Sequence, residues 1–154
     1  MDELIPDLRK WNDGRGISVE DWVQLVGNFE HAIAYSTLFW PEFQLHDGCV
    51  FFAGLDEANY QKWLKTTNGN KTSVQAVMNH RHILDLFPYA EPEPTQEQII
   101  FLGRKLKDMW QTKLNRDFPD QQITVSFPEE PEGDLLSYEI TFFIPHQEDL
   151  MKTS

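Results

Sequence analysis

Apolar positions recur along the chain with two different periods, and the change between them divides it into a helical majority and two β-hairpins. After the Gly-containing turn at residues 13–16, Trp22, Val26, Phe29 and Ile33 follow one another at helical spacing. Ser18 with Asp21 three residues on resembles a capping box, so a helix of about twenty residues is predicted from Ser18 to Pro41, where the missing N–H of proline stops it. Residues 42–46 and 49–53 flank Asp47-Gly48, and Asp-Gly suits the positive φ angles of a type I′ turn, which predicts a tight hairpin.

Asp56 is placed to cap a short helix through Trp63, and Asn68-Gly69-Asn70 reads as a turn. Thr72 or Ser73 then caps a helix predicted to run towards Phe87 and to close at Pro88. Thr95 and Gln98 open the longest helix, with Ile99, Leu102, Leu106, Met109, Trp110 and Leu114 on one apolar face. Gly103 falls on that face. Because glycine costs a helix about 0.5–1 kcal/mol relative to alanine, its place there predicts a close approach by a neighbouring element.

Near the end the period drops to two. Ile123, Val125 and Phe127 alternate with polar residues, as do Leu136, Tyr138, Ile140 and Phe142, and PEEPEGD joins the two runs. The order of elements predicts an α+β fold: two layers, with several helices packed on an antiparallel sheet built from two β-hairpins. Residues 1–154 are expected to form a single domain, since the length is near that of one.

Composition narrows the class. Five Trp and eleven Phe supply enough apolar area to exclude a disordered chain. The N-terminus has no signal-like pattern, and no apolar run approaches the ~20 residues of a membrane span, so a cytoplasmic location is expected. A single cysteine, Cys49, has no partner in the chain for a disulfide.

Charge changes the picture more. The formal net charge is -12, and from Asp117 to Asp149 there are nine carboxylates with no Lys or Arg. Such a surface favours basic partners and repels nucleic acid and anionic membranes. Arg104, Lys105, Lys107, Lys113 and Arg116 gather on the long helix, where they read as a solvated face or as an intramolecular complement to the acidic hairpin. Glu129, Glu130, Glu132 and Asp134, in the loop of that hairpin, are the candidate partner-binding residues, and the function they suggest is a non-catalytic acidic protein-binding module. Small size and high negative charge are similar to those of bacterial inhibitor and immunity proteins, which cover a basic surface of a partner protein. The sequence sets neither the partner nor the oligomeric state.

The alternative is a metal-dependent hydrolase. His46 and Cys49 would face each other across the Asp-Gly turn with Cβ atoms about 5 Å apart. Imidazole and thiolate both suit zinc or another divalent metal. His46, Asp47, Cys49 and His80 form the candidate ligand set. His82 is the alternative to His80, since two residues apart on a helix their side chains diverge by about 200° and only one of them could join. The doublet His46-Asp47 also resembles that of metal-dependent phosphohydrolases, in which an earlier His and a later Asp, here His31 and Asp85, complete the site. In that family the doublet lies on a helix of an all-α domain, whereas here it precedes Gly48 and an apolar, strand-like run. No nucleophile elbow, phosphate-binding loop or dinucleotide fingerprint is present, so no catalytic residues are assigned.

Overall fold

The computed structural model describes residues 1–130 and 134–146, and its contacts divide the chain into two compact units, Met1–Leu38 and Phe39–Ser154. In the first unit, Pro6–Lys10 forms a 3-10 turn, and the indole N–H groups of Trp22 (2.8 Å) and Trp11 (3.4 Å) both donate to Asp7 Oδ2. The single helix expected from Ser18 to Pro41 is two helices, α1 (Val19–Val26) and α2 (Phe29–Phe39). Ser18 caps α1 as the sequence implied. Gly27 adopts an extended conformation, and Asn28 Oδ1 accepts from the His31 N–H (3.1 Å), giving α2 its own cap. Periodicity alone does not register this break, because Val26 and Phe29 keep the same spacing across it. Neither helix carries a buried residue; Phe29 is 89% exposed and Ile33 65%.

The second unit holds the remaining elements. β1 (Phe43–His46) and β2 (Cys49–Phe52) pair antiparallel in the predicted register, with His46 opposite Cys49 and positive φ at Asp47 (50°) and Gly48 (73°). Asp56 caps α3 (Glu57–Thr66) by accepting from the Ala58 and Asn59 N–H groups. Asn70 caps α4, which spans Lys71–Asn79 and ends well short of Phe87. From His80 the backbone is extended: β3 (Arg81–His82) follows, then a 3-10 turn at Leu84–Leu86. Thr95 and Gln98 form the full capping box of α5 (Gln96–Asp117). Gly103 is buried where a methyl group would overlap the Phe127 ring, so the close approach is real.

The closing hairpin is shorter than its alternation suggests. β4 (Thr124–Ser126) pairs with β5 (Glu139–Phe143), while Leu135–Ser137 forms a 3-10 turn capped by the Asp134 side chain, which accepts from the Leu136 N–H. β3 joins the other edge of β5.

The fold is α+β, and its strands form two small antiparallel sheets, β1-β2 and β3-β5-β4, rather than one sheet shared by both hairpins. Two side chains of α4 explain the division. Gln75 and Asn79, four residues apart and both fully buried, fill the place where β2 and β5 would otherwise pair. Gln75 Oε1 accepts from the N–H groups of Val50 (2.9 Å) and Ile144 (3.0 Å), and its amide donates to the Ile144 carbonyl (3.2 Å). Asn79 donates to the carbonyls of Val50 (2.8 Å) and Phe142 (2.9 Å). Gln111 of α5 treats β4 in the same way, accepting from Val125 N–H and donating to Ile123 O. Buried strand groups require partners, and here side-chain amides supply what a neighbouring strand usually would.

The hairpin β1-β2 uses both faces. On one, Phe43 and Phe52 stack on each other (ring centres 5.6 Å apart), and Phe52 meets Phe142 (4.9 Å) and Trp110 (5.2 Å) edge to face. On the other, Cys49 and Phe51 pack with Tyr60 and Val74.

Candidate functional site

The sequence singles out two places, the Asp-Gly turn and the acidic hairpin. At the turn, Lys71 Nζ reaches the Asp47 carboxylate (2.9 Å) and the Asp47 carbonyl (2.7 Å), while the Tyr60 hydroxyl donates to Asp47 Oδ2 (2.8 Å). Lys71 and then Tyr60 hold the Asp47 carboxyl below its ordinary range. Burial, together with the bond to Asp47, pushes the Tyr60 hydroxyl well above its ordinary value, which leaves it a neutral donor. His46 turns to Glu57 (3.0 Å) and sets its ring edge-on to Tyr60. Cys49 is fully buried, its Sγ 4.0 Å from His146 Nε2. The His80 ring is engaged at the Val77 carbonyl (2.6 Å).

His46 and Cys49 thus face each other in register, but one side chain turns to Glu57 and the other to His146. Among the described residues no group of three or more His, Cys, Asp or Glu side chains is gathered to hold a metal. Chemically the cluster is a clamp: Lys71 and Tyr60 lock the strained turn, and a thiol with no exposed surface is closed to a substrate. Tyr60, Lys71 and His146, which complete it, carry no signal of that role in the sequence.

In the acidic stretch, two carboxylates, Glu129 and Asp117, are met by basic side chains of α5. Arg104 grips Glu129 through two nitrogens, at 2.8 Å for Nε, and so holds the Glu129 carboxyl below its ordinary range. Lys113 (2.8 Å) and Arg116 (2.7 Å) pair with Asp117. Asp134 is occupied with the Leu136 N–H (3.0 Å). Glu130 is exposed, and Glu132 lies outside the described residues, as do Glu148 and Asp149. Of the basic residues of α5, Arg104 complements the acidic hairpin, at Glu129, while Lys113 and Arg116 pair with Asp117 of the same helix.

No protein family, characterised protein or solved structure matches this chain. Its function has to be read from its own surface. Among the described residues no helix is long and apolar enough to cross a membrane.

A third place, not among the candidates drawn from the sequence, has the features of a contact site. The 3-10 turn at Leu84–Leu86, the chain that follows and the first turns of α5 enclose an apolar cleft of about 140 Å³, lined chiefly by Ile83, Leu84, Phe87, Pro94, Ile99 and Leu102. Small-molecule sites usually offer roughly 300–1,000 Å³, so this one is the size of a side-chain anchor. Asp85, Glu91, Glu93 and Glu97, each next in sequence to a lining residue, are exposed. From His82 to Gly103 the sequence holds these four carboxylates and no Lys or Arg. Tyr89, in the same loop, is 95% exposed. The signal was present in the sequence, since a charge count over residues 82–103 finds it.

Proposed function

We propose that the chain is a non-catalytic, acidic protein-binding module that receives a basic segment of a partner protein at the cleft between the Leu84–Leu86 turn and α5. A single observation carries this: an anchor-sized apolar cleft is flanked by four exposed carboxylates, none of them in an ion pair among the described residues. The occupant's chemistry follows. One apolar side chain enters the cleft, and Lys or Arg residues on either side meet Asp85, Glu91, Glu93 and Glu97. Rim charges of this kind raise the association rate and impose salt dependence, while the desolvated anchor supplies affinity. An inhibitor or immunity-type role, in which the module covers a basic surface of its target, is the form this function would take. Glu130 remains a steering charge; Glu129 and Asp134 are occupied within the chain.

The test is selection of displayed random peptides on the purified protein, run beside a variant carrying D85N, E91Q, E93Q and E97Q. Enrichment of a single apolar residue flanked by Lys or Arg, lost in the variant and at raised salt, is the expected result. Peptides without basic enrichment, or peptides that bind the variant equally, would remove the proposal.

A further inference from the structure

The extended backbone after α4 brings His80 and His82 together, opposite to what a continued helix would do. His80 sits at φ -67°, ψ 145°, and His82 lies in β3, so the two are separated by one residue along an extended chain and share a face. Arg81 points to the other face, where its guanidinium lies over the Phe52 ring (4.7 Å). The two imidazole rings stand 5.4 Å apart between centres, with their planes at 90°.

Each ring is tethered by the same atom. His80 Nδ1 is 2.6 Å from the Val77 carbonyl, and His82 Nδ1 is 2.6 Å from the Leu136 carbonyl. A carbonyl only accepts, so in both rings Nδ1 carries the proton and, in the neutral imidazole, Nε2 carries the lone pair. Metal-ligating histidines are oriented in this way, by donating the other ring N–H to a carbonyl or carboxylate. Glu139, across from His82 in β5, adds a carboxylate oxygen 3.6 Å from His82 Nδ1 and places negative charge beside the pair. The His82 side chain is 31% exposed, which leaves it open to an ion from solvent.

We propose that His80 and His82 form a two-imidazole chelate, through their Nε2 atoms, for a borderline transition-metal dication such as Zn(II) or Cu(II), with water completing the coordination. Imidazole suits these ions above the hard cations. With metal–nitrogen bonds of about 2.0–2.1 Å, two imidazoles on one tetrahedral ion set their ring centres about 5 Å apart, a separation this pair already has. Two protein ligands make an open site rather than a structural one. This site shares only His80 with the ligand set expected around the Asp-Gly turn, and it does not depend on the proposed docking cleft.

The test uses the full chain, stripped with chelator, exchanged into non-coordinating buffer and titrated with zinc chloride and separately with copper(II) chloride. Calorimetry should give one ion per chain. Long-range proton–nitrogen spectra of the unaltered protein should show Nε2 of two histidines, His80 and His82, shifting with zinc. H80N and H82N retain an amide donor near the carbonyl while deleting Nε2, and each should weaken binding by about tenfold or more; H46N should not. Shifts at His46 or His146 instead, affinity that survives the double variant, or no binding up to about 1 mM ion would each overturn the assignment. Because the spectra are taken on the unaltered chain, a variant that folds poorly does not remove the test.

Discussion

Replacing Gln75 by Met removes the amide that separates the two sheets while keeping the length and much of the volume of the side chain. Three strand groups lose their partners at once: the N–H of Val50, the N–H of Ile144 and the carbonyl of Ile144. Val50 and Gln75 are fully buried and Ile144 is 8% exposed, so water is not at hand to replace the amide. Leaving a buried polar group unmade costs about 1–3 kcal/mol, so three groups cost about 3 kcal/mol even at the lower end. That is a large share of the roughly 5–15 kcal/mol that keeps a domain folded. The assay is urea unfolding followed by tryptophan fluorescence, comparing midpoints at constant slope, since an unchanged slope shows that the loss is of stability rather than of compactness. Asn79→Leu provides the contrast. It orphans the carbonyls of Val50 and Phe142, but it also removes Asn79 Oδ1, a buried oxygen with no partner among the described residues, so the expected loss is smaller, about 1–2 kcal/mol. A loss below about 1 kcal/mol for Gln75→Met, or a larger loss for Asn79→Leu, would refute the view that these amides stand in for strand pairing.

Gly103→Ala should destabilise by about 1–3 kcal/mol, because the added methyl overlaps the Phe127 ring; thermal melting checks it, and an unchanged midpoint would show that the contact gives way. Phe29→Ser should change stability by less than about 0.5 kcal/mol, since the ring is 89% exposed, and a chemical denaturation curve that shifts substantially would mean that the residue is covered in solution. Asp117 has a carboxyl held below the ordinary value of 3.8, chiefly by the Lys113 hydrogen bond, so its contribution to stability is present above that value and is lost as the pH falls through the lower, folded-state one. The midpoint of unfolding measured from pH 6 down to pH 2 should therefore fall less steeply for Asp117→Asn than for the unaltered chain; parallel profiles would contradict the pairing.

How much of this was legible follows from the range of the forces involved. Local chemistry was readable: the capping box at Thr95 and Gln98, the Ser18 cap, the Asp47-Gly48 turn and the approach at Gly103 all arise from residues acting on their own backbone or on one neighbour. Boundaries decided by competition were not. α4 stops at Asn79 because Asn79 and the extended chain after it are committed to β2 and β5, partners far away in sequence. That one boundary reversed the relation of His80 and His82, from diverging on a helix to facing each other along a strand. The division into two sheets was equally invisible, since Gln75 in isolation is an ordinary polar residue in an amphipathic helix. For the sites, the sequence placed His46 opposite Cys49 correctly but gave no sign that Glu57 and His146 would take up those side chains.

Charge accounting shows why the acidic surface divides into two kinds. A carboxylate held by Arg104, Lys113 or Arg116 has a partner at high effective concentration, so an external cation must displace a residue of the same chain before it gains anything. Between His82 and Gly103 no carboxylate is held in this way among the described residues, and the cations that flank this stretch in sequence are engaged elsewhere, Arg81 over Phe52 and Arg104 at Glu129. The two regions should therefore respond differently to ionic strength. Salt screens exposed carboxylates acting over a distance near the Debye length, about 8 Å at 0.15 M, much more than it screens pairs in direct contact. Raising salt should weaken association of a basic peptide at the cleft while leaving unfolding midpoints nearly unchanged. A parallel fall of both would mean that the same charges hold the fold and the partner, and the separation of roles along this chain would not stand.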